Sequence, residues 1–98
     1  MSTSMTVAEF QQMIRDRYYD TDAARGAPAT FLWFTEEVGE LAEALAKAER
    51  GDGDHDHLAS EFADVMAWLT TLANISGVDL DRAIHRKYLE GGGPEGTK

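Results

Sequence analysis

From Pro28 to Glu49, apolar side chains recur every three or four residues, at Phe31, Phe34, Val38, Leu41 and Leu45. That spacing matches the turn of an α-helix and not the two-residue repeat of a strand. The pattern returns at Leu58, Phe62, Val65, Leu69 and Leu72. Shorter stripes flank these two, with Phe10, Ile14 and Tyr18 before them and Leu80, Ala83, Ile84 and Tyr88 after. No alternating stretch of useful length competes. The chain is therefore predicted to be all-α, a four-helix, bundle-like domain.

Local signals place the ends of these helices. Thr6 followed by Glu9 forms a capping box, which predicts a first helix over about 7–19. Arg25-Gly26-Ala27-Pro28 breaks the pattern, and Pro28 suits the first turn of a second helix, where a missing N–H is harmless. Gly51 is a natural terminator, and GDGDHD reads as a short polar loop. A third helix is expected from near Asp56 to Gly77, and Asp79 can cap a fourth. The closing GGGPEGTK reads as a frayed tail. One domain is expected over 1–98, with a core at about 6–90 and a flexible tail at 91–98.

Bulk properties narrow the function. With 98 residues, 43% of them hydrophobic, one domain with a modest core is expected, and self-association would help to stabilise it. A formal net charge of −9 argues against a nucleic-acid polymer as partner, because phosphate backbones need a basic face. It does not argue against a small anion that arrives with its own divalent cation. The absence of cysteine excludes disulfides and thiolate sites and fits a reducing compartment. No basic-then-apolar leader and no membrane-length apolar run is visible, so a cytoplasmic protein without membrane association is expected.

The acids carry the chemistry. Glu37 and Glu40 form E-x-x-E on the second helix, and Glu61 and Asp64 form E-x-x-D on the third. Residues three apart share a helix face, and like charges held there repel by about 0.2–0.5 kcal/mol per pair. Stepping around each helix puts Glu36 and Glu43 opposite the apolar stripe and Glu37 on its border, with Trp33, Glu40 and Ala44 on the same flank. On the third helix Glu61 falls inside the apolar arc, and Asp64 lies at its edge. A lone buried charge costs several kcal/mol, so such a group takes up a proton, pairs with a cation or binds a metal. Lys47 and Arg50, the nearest basic residues on the second helix, point to its solvent side. All-oxygen ligation suits Mg²⁺ or Mn²⁺. On the residues alone, a solvated acidic face and a metal site both stand.

The string FLWFTEEVGELAEAL, with its E-E-x-x-E core, followed by ASEFADVMAWL with E-x-x-D, resembles the MazG-type nucleotide pyrophosphohydrolases. The likeness extends from the first helix to Lys87-Tyr88. It implies an enzyme that cleaves a nucleoside triphosphate between the α and β phosphates, giving a monophosphate and pyrophosphate. Carried over by position, Glu37, Glu40, Glu61 and Asp64 would hold Mg²⁺, and Glu36 would orient or deprotonate the attacking water. Asn74, Arg86 and Lys87 fall where relatives place polar residues near the nucleotide. Trp33 and Trp68 sit four residues from an acid and could stack a base, and Tyr18, Tyr19 and Arg25 could edge the pocket. A homo-oligomer is expected, because dimerisation would cover the remaining apolar faces; it is a dimer or, as the preferred state, a tetramer made of two dimers.

Other signals carry less. Asp52, Asp54 and Asp56 suggest a calcium loop, but His57 and Ala63 stand where an EF-hand needs Gly and Glu. His55 and His57 read as solvated. Neither acid pair ends in His, as a di-iron bundle requires. Gly39 inside the second helix costs about 1 kcal/mol relative to Ala and predicts close approach of a neighbour beside Glu40. Two rival readings are a phosphoribosyl-ATP pyrophosphohydrolase and a non-catalytic helical interaction module.

Overall fold

The computed structural model describes residues 4–96. Helix α1 spans Val7–Arg25, α2 Ala27–Glu49, α3 His55–Ile75 and α4 Leu80–Ile84, the last continuing as a π-helical segment over His85–Glu90. The described residues contain no strand, and no helix is long and apolar enough to cross a membrane. The all-α, four-helix expectation holds. Lys98, in the closing tail, lies outside the described residues.

The helix ends follow from the caps. Thr6 Oγ1 accepts the Glu9 N–H at 3.0 Å, and Glu9 returns a bond to the Thr6 N–H at 2.9 Å. Asp54 caps α3 by accepting from the Asp56 N–H at 3.0 Å, so this helix starts one residue before the predicted Asp56. Helix α1 runs on to Arg25, past its predicted end at about residue 19. Its inner face continues in polar residues, Asp22 (buried) and Arg25 (half-buried), which an apolar count does not see.

A single residue joins α1 to α2. Gly26 has φ +84°, a conformation that L side chains rarely adopt, and Pro28 follows in the first turn of α2. The fully buried Thr30 ties this corner together. Its hydroxyl donates to the Gly26 carbonyl at 2.6 Å and accepts from Arg25 Nε at 3.0 Å.

Helix α3 is the central rod, with α2 packed along it and α1 against it, while α4 rests on α1. One side chain fastens three of these elements. Gln11 Nε2 donates to Asn74 Oδ1 at 3.0 Å and to the Val78 carbonyl at 2.7 Å, and Gln11 Oε1 accepts the Leu80 N–H at 2.9 Å. Asn74 Nδ2 donates back to the Gln11 carbonyl at 3.3 Å. Gln11→Ala is expected to strip partners from the buried Asn74 and from the start of α4, destabilising the fold by about 2–3 kcal/mol. Urea unfolding of the variant checks this, and a loss under 0.5 kcal/mol would remove the hub role.

The core departs from the sequence reading. The buried apolar residues are Ile14, Ala44 and Ala73, all small or medium in size. Phe31, Val38, Leu45, Phe62 and Leu69, expected on buried faces, are 40–56% exposed, and Leu32 is 72% exposed. Gly39 likewise has nothing within 4 Å of where a Cβ would stand, so the predicted close approach is not made within this chain. The radius of gyration is 15.4 Å. A compact domain of about 100 residues has about 13 Å. The helical stripes exist as read, but the single chain leaves half of each uncovered.

Candidate metal centre

The α2–α3 contact brings the two acid pairs face to face. One carboxylate oxygen from each of Glu37, Glu61 and Asp64 lies within 4.8 Å of the others. Burial is graded across the three: Glu61 is buried at 8% exposure, Glu37 is half-buried and Asp64 is exposed. Glu61 is held inside because α3 offers that position to α2, as its place in the apolar arc predicted.

The electrostatics are unbalanced. Among the described residues, no Lys or Arg lies within 4.0 Å of any of these three carboxylates. Glu37 Oε2 and Glu61 Oε2 are buried and have no hydrogen-bond partner. Burial, aided by a hydrogen bond to the Glu40 carboxyl and by the charges of Glu40, Asp64 and Glu61, raises the Glu37 pKa to about 7. Carboxylates gathered this closely repel one another, so the site as built lacks positive charge. The nearest group able to carry one is His57, whose Nε2 stands 3.6 Å from Glu61 Oε1. A hard divalent cation would meet oxygen donors only from the three carboxylates, two of them with orphaned oxygens, and the residues present fit such an ion.

The remaining expected site residues fall in three groups. Glu40 flanks the cluster without joining the triad and lines a polar cavity of about 190 Å³ with Glu43, Lys47, His57 and Glu61. Glu36 is exposed, as its place opposite the apolar stripe predicted, and Trp33 is 50% exposed. Trp68 is half-buried one turn beyond Asp64, with the Arg25 guanidinium carbon 5.0 Å from its ring centre. Asn74 is buried, and its amide is committed to Gln11. Arg86 and Lys87 are exposed in the final π-helical segment, and neither lines the polar cavity beside the acids.

His57 is exposed, as read, but stands in the first turn of α3 and not in the loop, with Nε2 3.6 Å from Glu61; the H-x-x-x-E spacing was the available signal for that pair. One residue escaped the sequence reading. Asp22 is buried and ion-paired to Arg25, a D-x-x-R spacing that lay beyond the predicted end of the first helix.

No curated protein sequence matches the chain. The profile of the MazG nucleotide pyrophosphohydrolase domain, in contrast, matches residues 26–89, a span that contains both acid pairs, the loop between them and most of the final helix. The span also contains the carboxylates that the fold draws into one uncompensated cluster, and on that match the chain belongs to the MazG nucleotide pyrophosphohydrolase domain family.

Proposed function

We propose that the protein is a Mg²⁺-dependent pyrophosphohydrolase that cleaves a nucleoside triphosphate between its α and β phosphates. The observation that carries this reading is the Glu37–Glu61–Asp64 cluster, with two buried, unpartnered oxygens and, among the described residues, no Lys or Arg paired to it. Glu37, Glu61 and Asp64 would hold the ion, with Glu40 completing the set from the side. A bound Mg²⁺ or Mn²⁺ supplies charge neutralisation for the phosphate oxygens and acidifies nearby water. The protein's own part is positioning. Burial fixes Glu61, the border position holds Glu37, and exposed Asp64 leaves the cluster open on the side from which a triphosphate would enter. Glu36, on the solvent side of α2, is proposed to orient the attacking water once substrate covers it. Arg86, Lys87 and Trp33 are proposed to meet the nucleotide from the rim.

The same reading includes self-association. Phe31, Leu32 and Phe62 are more than half exposed, and a second copy of this chain is proposed to cover them. A dimer, or a tetramer built of two dimers, supplies that cover.

A panel of ribo- and deoxyribonucleoside triphosphates incubated with Mg²⁺ tests the activity. Pyrophosphate and the monophosphate are the expected products, and chelation of the metal is expected to stop the reaction. Release of single phosphate, or no turnover of any triphosphate, would overturn the assignment.

A further inference from the structure

The polar cavity between α2 and α3 adds a donor that the carboxylate triad lacks. Its lining steps one helical turn away from the triad, since Glu40 follows Glu37 on α2 and His57 precedes Glu61 on α3. His57 and Glu61 share a helix face, at the four-residue spacing by which two side chains of one helix can grip a single ion. His57 Nε2 stands 3.6 Å from Glu61 Oε1 and makes no hydrogen bond to it at that separation. Two ligands each about 2.1 Å from one ion stand about 3.0–3.6 Å apart, for angles of about 90–120°. The gap between nitrogen and oxygen therefore has the width of a shared metal ion.

Burial and charge point the same way. Glu61 also lines this cavity, is 8% exposed, and has a second oxygen, Oε2, that is buried without a hydrogen-bond partner. Lys47 is the one ammonium group in the lining, and its Nζ is 3.3 Å from Glu43 Oε1. That pair is self-compensating. Glu40 and Glu61 are left with two negative charges, the charge of one divalent ion. His57 brings a nitrogen to them and, when neutral, no charge of its own.

Resting on the metal-centre reading of the acids, we infer that His57 Nε2 and Glu61 Oε1 grip a second divalent ion, with Glu40 on the facing wall, and that this position takes a transition ion such as Mn²⁺, Co²⁺ or Zn²⁺ in preference to Mg²⁺. Mg²⁺ is hard, demands near-ideal octahedral geometry and favours oxygen, whereas an imidazole nitrogen suits transition ions. The triad offers oxygen alone, so the two positions differ in what they select. Glu61 is common to both.

Mn²⁺ is the weakest binder of the divalent transition series and makes the strictest probe. Mn²⁺ below one equivalent is added to the full chain in excess Mg²⁺, which occupies the triad. Electron spin-echo spectroscopy is expected to show nuclear modulation from a ligating nitrogen. The modulation is expected to persist in His55→Ala and to vanish in His57→Ala. No nitrogen signal in the wild type, or one that survives in His57→Ala or depends on His55, would overturn the inference. By calorimetry, His57→Ala is expected to weaken Mn²⁺ binding by at least about 10-fold and to change Mg²⁺ binding by less than about twofold. Equal losses for both ions would also overturn it. A wild type that binds Mg²⁺ but shows no nitrogen ligand removes the role of His57 and leaves the triad standing. A wild type that takes up neither ion removes both. His57 is exposed, so His57→Ala is expected to fold, as melting curves would check; the wild-type spectrum needs no variant.

Discussion

Replacing Glu37 by Gln is expected to stabilise the metal-free protein at pH 8 while abolishing its response to Mg²⁺. The reasoning rests on the raised pKa, about 7 in the folded chain against an ordinary value of 4.5. Below about pH 4.5, folded and unfolded chains both carry the proton and no penalty arises. As pH climbs towards 7, the unfolded chain releases its proton while the folded chain still holds it, so folding loses stability. The loss is complete above 7. Allowing for the solvent that reaches this half-buried group, it amounts to on the order of 1–2 kcal/mol. Gln carries no charge and does not suffer it. In the wild type, added Mg²⁺ is expected to bind the ionised cluster and to restore stability, by about 2.7 kcal/mol at a hundredfold excess over its dissociation constant. Melting curves of both proteins at pH 5 and 8, with and without Mg²⁺, give four differences with fixed signs. A metal-free wild type more stable at pH 8 than at pH 5, by a margin that Glu37→Gln abolishes, would contradict the placement of Glu37. Turnover in the variant is expected to fall by at least about 10²-fold if the proposed ligand role of Glu37 holds.

The second large effect concerns the uncovered apolar faces. With Ile14, Ala44 and Ala73 as its buried apolar residues, one chain has little to set against the entropy of ordering four helices. Folding and assembly should therefore be one transition. Each tenfold dilution is expected to lower the melting temperature by about 3–6 °C. Phe62→Glu, at an α3 residue that is 53% exposed in the single chain, is expected to cost about 3–5 kcal/mol per chain by placing a charge where a second copy is proposed to pack. Circular dichroism at matched concentrations and sedimentation velocity would show an unfolded or dissociated species. A monomer at every concentration with a constant melting temperature, or a Phe62→Glu protein as stable as the parent, would remove the assembly proposal.

These two cases also mark where sequence reasoning reached its limit. The periodic stripes gave α2 and α3 their extents almost to the residue, because Pro28, Gly51 and Gly77 bound them chemically. Glu61 was legible as buried because its place on the wheel put a charge among Leu58, Phe62 and Val65. The same wheel could not distinguish burial by the chain's own helices from burial by another surface, since both produce the same apolar periodicity. Phe62 and Leu69 therefore read as core and emerge exposed. Glu40 matched the motif string and stands beside the triad, one helical turn from Glu37. Asp22 was invisible for a different reason. Its face of α1 continues in polar residues, with Asp22 paired to Arg25, and a search for apolar repeats stops at Tyr18.

Gly26 gives these parts a common geometry. It is the sole connector between the rod that carries Asp22 and the rod that carries Glu37, and its positive φ and the Thr30 bonds leave that elbow one setting. The position of α1 against the acid-bearing α2 is thus decided by a backbone angle and not by a pliable linker. Lengthening or loosening this one-residue joint would let the two rods drift apart before it unwound either of them.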